Sequence, residues 1–173
     1  MANHYSTLFA TEADQNTLVD PPKRVATGAS DGRIRYKPMY ILTDQVFAIT
    51  EVIRMGQFKS NDRIHKLVIS CPDMGTAGDF DIGLYLTGVN HNGLVVDDNL
   101  FADALDVNAA ASDQVEVFTQ AALDNFDRGK PLWELLGLSA DPVVAYDMTI
   151  TAVEATTATS AEVLLECWYN AGD

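Results

Sequence analysis

Few side chains in this 173-residue chain stand at spacings that could do chemistry. The nearest approach is Gly28-Ala29-Ser30-Asp31-Gly32, which matches the G-x-S-x-G pattern of a hydrolase nucleophile elbow. That elbow works only when a strand delivers the serine and a helix follows, leaving the hydroxyl exposed beside an oxyanion hole. Here Pro21, Pro22, Lys23 and Arg24 lead in and the strand-like Arg33-Ile34-Arg35-Tyr36 follows. A turn is the expectation. The histidines His4, His65 and His91 fall in a leading arm, a strand and an Asn/Gly loop. Nothing in the pattern makes them converge as zinc or iron ligands. Cys71 and Cys167 sit on apolar strand phases, where buried inert thiols are expected, and two cysteines are too few for a disulfide scaffold. Asp79, Asp81, Asp97, Asp98, Asp103 and Asp106 could gather calcium only if loops brought them together. The D-x-[DN]-x-[DN]-G loop of an EF-hand is absent. No catalytic, cofactor-binding or metal-ligating residue is assigned.

Binding chemistry has a clearer signal. Lys23, Arg24, Arg33, Arg35 and Lys37 crowd positive charge into a short stretch. The bland alternative is a solvated face, and the sharper one is an arm that clamps an acidic protein surface. Trp133 is expected in the packing of a short helix. Trp168 lies opposite the inward phase of the last strand, where an exposed aromatic would mark an interface between copies.

Charge and composition bound the rest. Eleven Lys and Arg against twenty-five Asp and Glu give a net charge of −14, which argues against a nucleic-acid or anionic-membrane footprint. Residues 1–66 carry nine basic and seven acidic side chains, whereas residues 67–173 carry two basic and eighteen acidic ones. The first twenty residues lack the basic and apolar regions of a signal peptide, and no apolar run approaches the ~18 residues that span a bilayer. Synthesis in a cytoplasm is the expectation.

The elements that must position these side chains read as strands. Residues 1–32 lack periodicity and hold Pro21, Pro22, Gly28 and Gly32, as an extended arm would. Its spaced apolar residues, Tyr5, Phe9 and Leu18, are anchors for a surface to lie on. From residue 33 to 173 a single β domain is expected. Apolar residues alternate at Ile34, Tyr36, Tyr40 and Leu42; at Phe47, Ile49, Ile53 and Met55; and at His65, Leu67, Ile69 and Cys71. The pattern continues at Phe80, Ile82, Leu84 and Leu86, and at Val115 and Val117. It is clearest at Val144, Tyr146, Met148, Ile150 and Ala152, then at Val163, Leu165, Cys167 and Tyr169. These phases predict the core. The last two runs, joined by the polar Ala155–Ser160, predict an antiparallel hairpin.

One short helix is expected in Lys130-Pro131-Leu132-Trp133-Glu134-Leu135-Leu136-Gly137, with Pro131 at its first position and Gly137 as the left-handed cap. Spans 88–112 and 119–130 are expected as loops, with helical turns possible at Ala102–Leu105 and Gln120–Phe126. Many short strands and almost no helix predict an all-β antiparallel sandwich, a jelly roll first and an immunoglobulin-like topology as the alternative.

In the order and character of its segments the chain resembles the decoration, or cement, proteins among the small structural proteins of tailed bacteriophages. The resemblance runs from the arm ANHYSTLFATEADQNTL through VIRMGQF, LVISCPDMGTAGDFDIGLY and VVDDNLFADALDV to KPLWELLGLSADP and TITAVEATTATSAEVLLECWYNAGD. It implies a non-enzymatic β-sandwich on the outer face of a phage head, assembled as a homotrimer and bound to the major capsid protein. On that reading Tyr5, Phe9, Leu18, Lys23, Arg24, Arg33, Arg35 and Lys37 would meet the capsid, and Trp168 a second copy. No cofactor, nucleic acid or membrane enters. The alternatives are a carbohydrate-binding or receptor-binding module and a head-completion or tail protein.

Overall fold

Among the described residues, period-two alternation of apolar residues goes with eight strands, and one helical turn joins them. The computed structural model describes residues 33–43, 46–75, 78–88, 93–107, 112–158 and 161–172. In chain order they are β1 (Arg35–Thr43), β2 (Val52–Lys59), β3 (Arg63–Cys71), β4 (Asp79–Leu86), β5 (Val95–Asp106), β6 (Ser112–Glu116), α1 (Leu132–Leu135), β7 (Ala145–Ala152) and β8 (Ala161–Asn170). Two four-stranded sheets form, ordered β1-β8-β3-β6 and β2-β7-β4-β5, with antiparallel pairing throughout. The chain crosses between the sheets at nearly every connection. This is an eight-stranded jelly roll.

The inward phases expected on β4, β7 and β8 are buried. Phe80, Ile82, Leu84, Met148, Ile150, Val163, Leu165 and Cys167 have no solvent exposure. Each such aliphatic or aromatic side chain stabilises the fold by about 1.5–3 kcal/mol relative to exposure. Rings tie the two sheets together, with Phe58 of β2 edge-on to Tyr169 of β8 at 5.2 Å between centroids. Phe101 of β5 meets Phe118, just beyond β6, at 5.7 Å.

The expected β7–β8 hairpin does not form. β7 pairs with β2 and β4, whereas β8 pairs with β1 and β3 in the other sheet. A strand that stays in its sheet and one that crosses show the same alternation, so periodicity alone cannot separate them. The link runs over one end of the sandwich and is pinned there. Phe47 N donates to Thr156 Oγ1 at 2.9 Å, and Thr156 N donates to the Phe47 carbonyl at 3.0 Å.

β1 also departs from expectation. Met39 is buried and Ile41 packs against the core, while Ile34, Tyr36, Tyr40 and Leu42 are exposed. Both phases of this strand are apolar, so alternation leaves the choice open. Pairing with β8 makes it, since Met39 stands opposite Leu165 and Ile41 opposite Val163, two residues that point inward. Ile49 is exposed, because it lies in the turn before β2, and a bulge between Arg54 and Gly56 moves the buried phase of β2 from Ile53 to Phe58. A second bulge, between Ile64 and Lys66, leaves His65 half-buried while Ile64, Leu67 and Ile69 point inward.

The span expected as a loop holds the longest strand. β5 covers Ala102–Leu105, where helical turns were expected, and its pairing with β4 shifts register between Phe80 and Ile82, Ile82 and Leu84, and Leu84 and Tyr85. Repeated bulges erase the alternation by which a strand is recognised. Gln120–Phe126 forms bends and turns without a helix. Where β5 bends over β4 its backbone comes so close that a Cβ on Gly83 would lie 2.1 Å from the Asp97 carbonyl oxygen. Only glycine fits there. The helix α1 is as short as expected, with Pro131 at the N-cap one position earlier than expected and Gly137 left-handed at φ +70°.

Candidate interaction surface

The outward phase of β1 creates the most distinctive surface among the described residues. Ile34, Tyr36, Tyr40 and Leu42 are 58, 52, 73 and 73% exposed on the outer side of an edge strand. Register extends the surface inward, because Tyr36 stands opposite Trp168, Pro38 opposite Glu166 and Tyr40 opposite Leu164. The next strand places Lys66 opposite Trp168 and Ser70 opposite Leu164.

Trp168 does face outward, as its phase requires, but it is only half-exposed. The Tyr36 ring lies 5.2 Å from it, and Lys66 Nζ sits 5.0 Å from the centroid on the basis of a cation–π contact. Tyr36 Oη donates to Glu166 Oε1 at 2.5 Å, and this hydrogen bond pushes the phenol above its ordinary pKa. Tyrosine, tryptophan and a fixed polar rim are a composition that protein interfaces favour.

The basic residues separate. Arg33 and Arg35 are exposed. Lys37 turns toward β2, where its Nζ donates to the Gln57 carbonyl at 2.6 Å and lies 4.3 Å from the Phe58 ring centroid. Burial lowers its pKa. Lys37 therefore straps β1 to β2. Tyr5, Phe9, Leu18, Lys23, Arg24, the Gly28–Gly32 segment, His4 and His91 lie outside the described residues.

The acidic residues collect on β4 and β5. Asp79 stands opposite Asp106, and Leu84 opposite Asp97. Burial raises the pKa of Asp81, and the neighbouring charges of Asp103, Asp98 and Asp79 raise it further, against the 2.7 Å hydrogen bond it accepts from Ala104 N. Burial likewise raises the pKa of Asp97. Among the described residues no group of three or more His, Cys, Asp or Glu is placed to hold a metal ion.

No described group assembles acid–base or nucleophilic chemistry either. His65 Nε2 faces Asn170 Oδ1 at 3.1 Å, and burial lowers its pKa. Burial pushes the Cys167 thiol up to about 12, so it stays protonated and unreactive. A cavity of about 460 Å³ lies beside Lys59, Ser60, Asp141 and Val143. There Ser60 Oγ donates to Asp141 Oδ1 at 2.5 Å, which ties the loop before β7 to the turn after β2 without a histidine to accept the proton onward. Arg54 pairs with Asp147 at 2.8 Å, and Thr87 donates to the same carboxylate at 2.8 Å. These contacts hold the outer face of β7 together. The β1 stripe could have been found from sequence only as a strand apolar on both phases.

No protein-family model matches the chain, and no curated protein matches it in sequence. Two solved structures are similar in fold. A chain in the cyanophage Pam1 capsid asymmetric unit aligns at a TM-score of 0.55 and 9% identity, covering 90% of this chain and 98% of that one. A chain in the capsid of Ralstonia phage GP4 aligns at a TM-score of 0.58 and 16% identity, covering 87% of this chain and 92% of that one. At such identities the likeness is one of fold. This chain has the jelly roll that chains of those two phage capsids have.

Proposed function

We propose that this chain is a structural component of a bacteriophage virion and serves there as a decoration or cement protein on the outer face of the head. The observation that carries the reading is the two-way coverage. The fold accounts for 98% and 92% of the matched chains in two phage capsid structures, so the likeness extends to the whole of each chain and not to a module within it. Around that fold, the surface offers apolar and aromatic contact area at β1 and Trp168, whereas the described residues assemble no reaction centre. The role is structural and not enzymatic.

The partner on this reading is the major capsid protein, and the working form is a homotrimer. Residues 1–32 supply an extended arm in which Tyr5, Phe9 and Leu18 anchor, while Lys23, Arg24, Arg33 and Arg35 steer encounter with an acidic shell. Cementing follows from mass action, since whatever binds the assembled shell and not its separated subunits stabilises it. The test is co-sedimentation of purified protein with undecorated heads, followed by imaging of the particles. Full-length protein is expected to bind regular outer positions, and protein lacking residues 1–20 to fold normally and lose most binding. Equal binding by the truncated form would remove the arm from the role, and no binding by the intact protein would overturn the decoration reading.

A further inference from the structure

The two lateral edges of the sandwich carry opposite charge. β1 and β2 lie at one side, in contact across the sandwich, and their sequences contain basic residues and no acidic one. β5 and β6 end the two sheets at the other side, and theirs contain acidic residues and no basic one. Folding thus separates the charge sideways, a property no single segment has.

The matching residues are also level along the strands. Arg35 starts β1 and Lys59 ends β2, both at the end where β2 pairs with Ala145. β4 reaches the same end, where Leu86 pairs with Tyr146, and it brings Val95 and Asp97 of β5 there. Arg35 and Lys59 make no ion pair among the described residues, and neither do Asp97, Asp98 and Asp103. Apolar area accompanies the charge on both sides. Tyr40 and Leu42 are exposed on β1, and Leu94 and Val95 are 75 and 54% exposed at the start of β5.

We propose that copies of this chain associate head to tail, the β1–β2 edge of one against the β5–β6 edge of the next. The occupant of each edge is a second copy, because the two edges carry opposite charge and each has exposed apolar area to bury against the other. Such a contact uses two different surfaces, so it builds rings or chains and not a two-fold dimer. A rotation axis along the strands keeps Arg35 and Lys59 at the end of the sandwich that holds Val95 and Asp97, and closes the ring. The proposal deepens the reading above, in which copies assemble, by naming the surfaces that join them.

Sedimentation velocity on free protein tests it. At about 100 µM protein, a contact with a Kd of ~10 µM is mostly formed, and wild-type protein is expected to sediment above monomer mass. Arg35→Glu with Lys59→Glu should block one edge, and Val95→Lys with Asp97→Lys the other. Each double variant is expected to sediment as a monomer. Mixed, they should again sediment above monomer mass, since each retains an intact edge that fits the other and the two reversed edges also carry opposite charge. Circular dichroism checks folding, and the exposed single change Val95→Lys replaces the second variant if the half-buried Asp97 cannot be changed. Monomeric wild-type protein, undiminished association of either variant, or a mixture that stays monomeric would each overturn the proposal. Shell binding is measured separately. A monomer that binds heads overturns the edge contact and leaves the decoration reading intact, and association without head binding does the reverse.

Discussion

Replacing Leu165 by alanine tests the sandwich core at its centre. Leu165 lies on β8 with no solvent exposure, opposite Met39 on one side and Ile69 on the other. The substitution removes three carbon atoms, worth about 0.8 kcal/mol each in lost burial, or roughly 2.4 kcal/mol together. Strands on both sides are hydrogen-bonded to β8, so the site cannot collapse freely, and the residual cavity raises the cost to about 2.5–5 kcal/mol. With a urea m-value of about 1–3 kcal/mol/M, the unfolding midpoint should fall by roughly 1–5 M. The neighbour Leu164 supplies the control, because it sits on the outer face and is only half-buried. Leu164→Ala should cost less than about 1 kcal/mol. Equal losses for the two variants, or a loss at Leu165 within about 0.5 kcal/mol of zero, would refute the assigned phase of β8.

Other expectations follow from single contacts. Gly83→Ala drives a methyl group to 2.1 Å from the Asp97 carbonyl, so it should destabilise by about 1–3 kcal/mol in the same urea assay. Asp81 has a raised pKa, so its ionisation opposes folding as pH climbs through that value. Asp81→Asn should therefore be more stable than wild type at neutral pH, with the gap closing below the ordinary carboxylate pKa of 3.8, which melting curves across pH will read. Cys71 and Cys167 are both buried. Neither should react with a thiol reagent at pH 8 until denaturant unfolds the chain, and fast labelling of native Cys167 would contradict its burial. Arg54→Ala leaves the buried Asp147 carboxylate with the Thr87 hydroxyl and without its cation, and should cost about 2–4 kcal/mol of melting stability.

Local alternation was enough to determine that this chain makes an all-β sandwich. It also marked the inward faces of β4, β7 and β8, because a strand with one polar and one apolar side can be buried only one way. Pro131, Leu132 and Gly137 marked the helical turn α1 for equally local reasons, a fixed φ at the start and a left-handed residue at the end. Three features needed the tertiary structure. β1 is apolar on both sides, so only its register against Leu165 and Val163 of β8 decides that Met39 goes in and Tyr40 stays out. β5 has no steady period, because its shape comes from bulges imposed by pairing with β4 over Gly83. β7 and β8 alternate as a hairpin would, yet the energy that sends them to opposite sheets lies in partners far away in sequence, β2 and β4 for one and β1 and β3 for the other. The candidate surface shares that origin. Tyr36 and Trp168 are far apart in the chain, and the lateral separation of charge exists only once β1 and β2 take one side of the sandwich and β5 and β6 the other. Alternation tells a residue which side of its strand is apolar, and only pairing tells the strand where it stands.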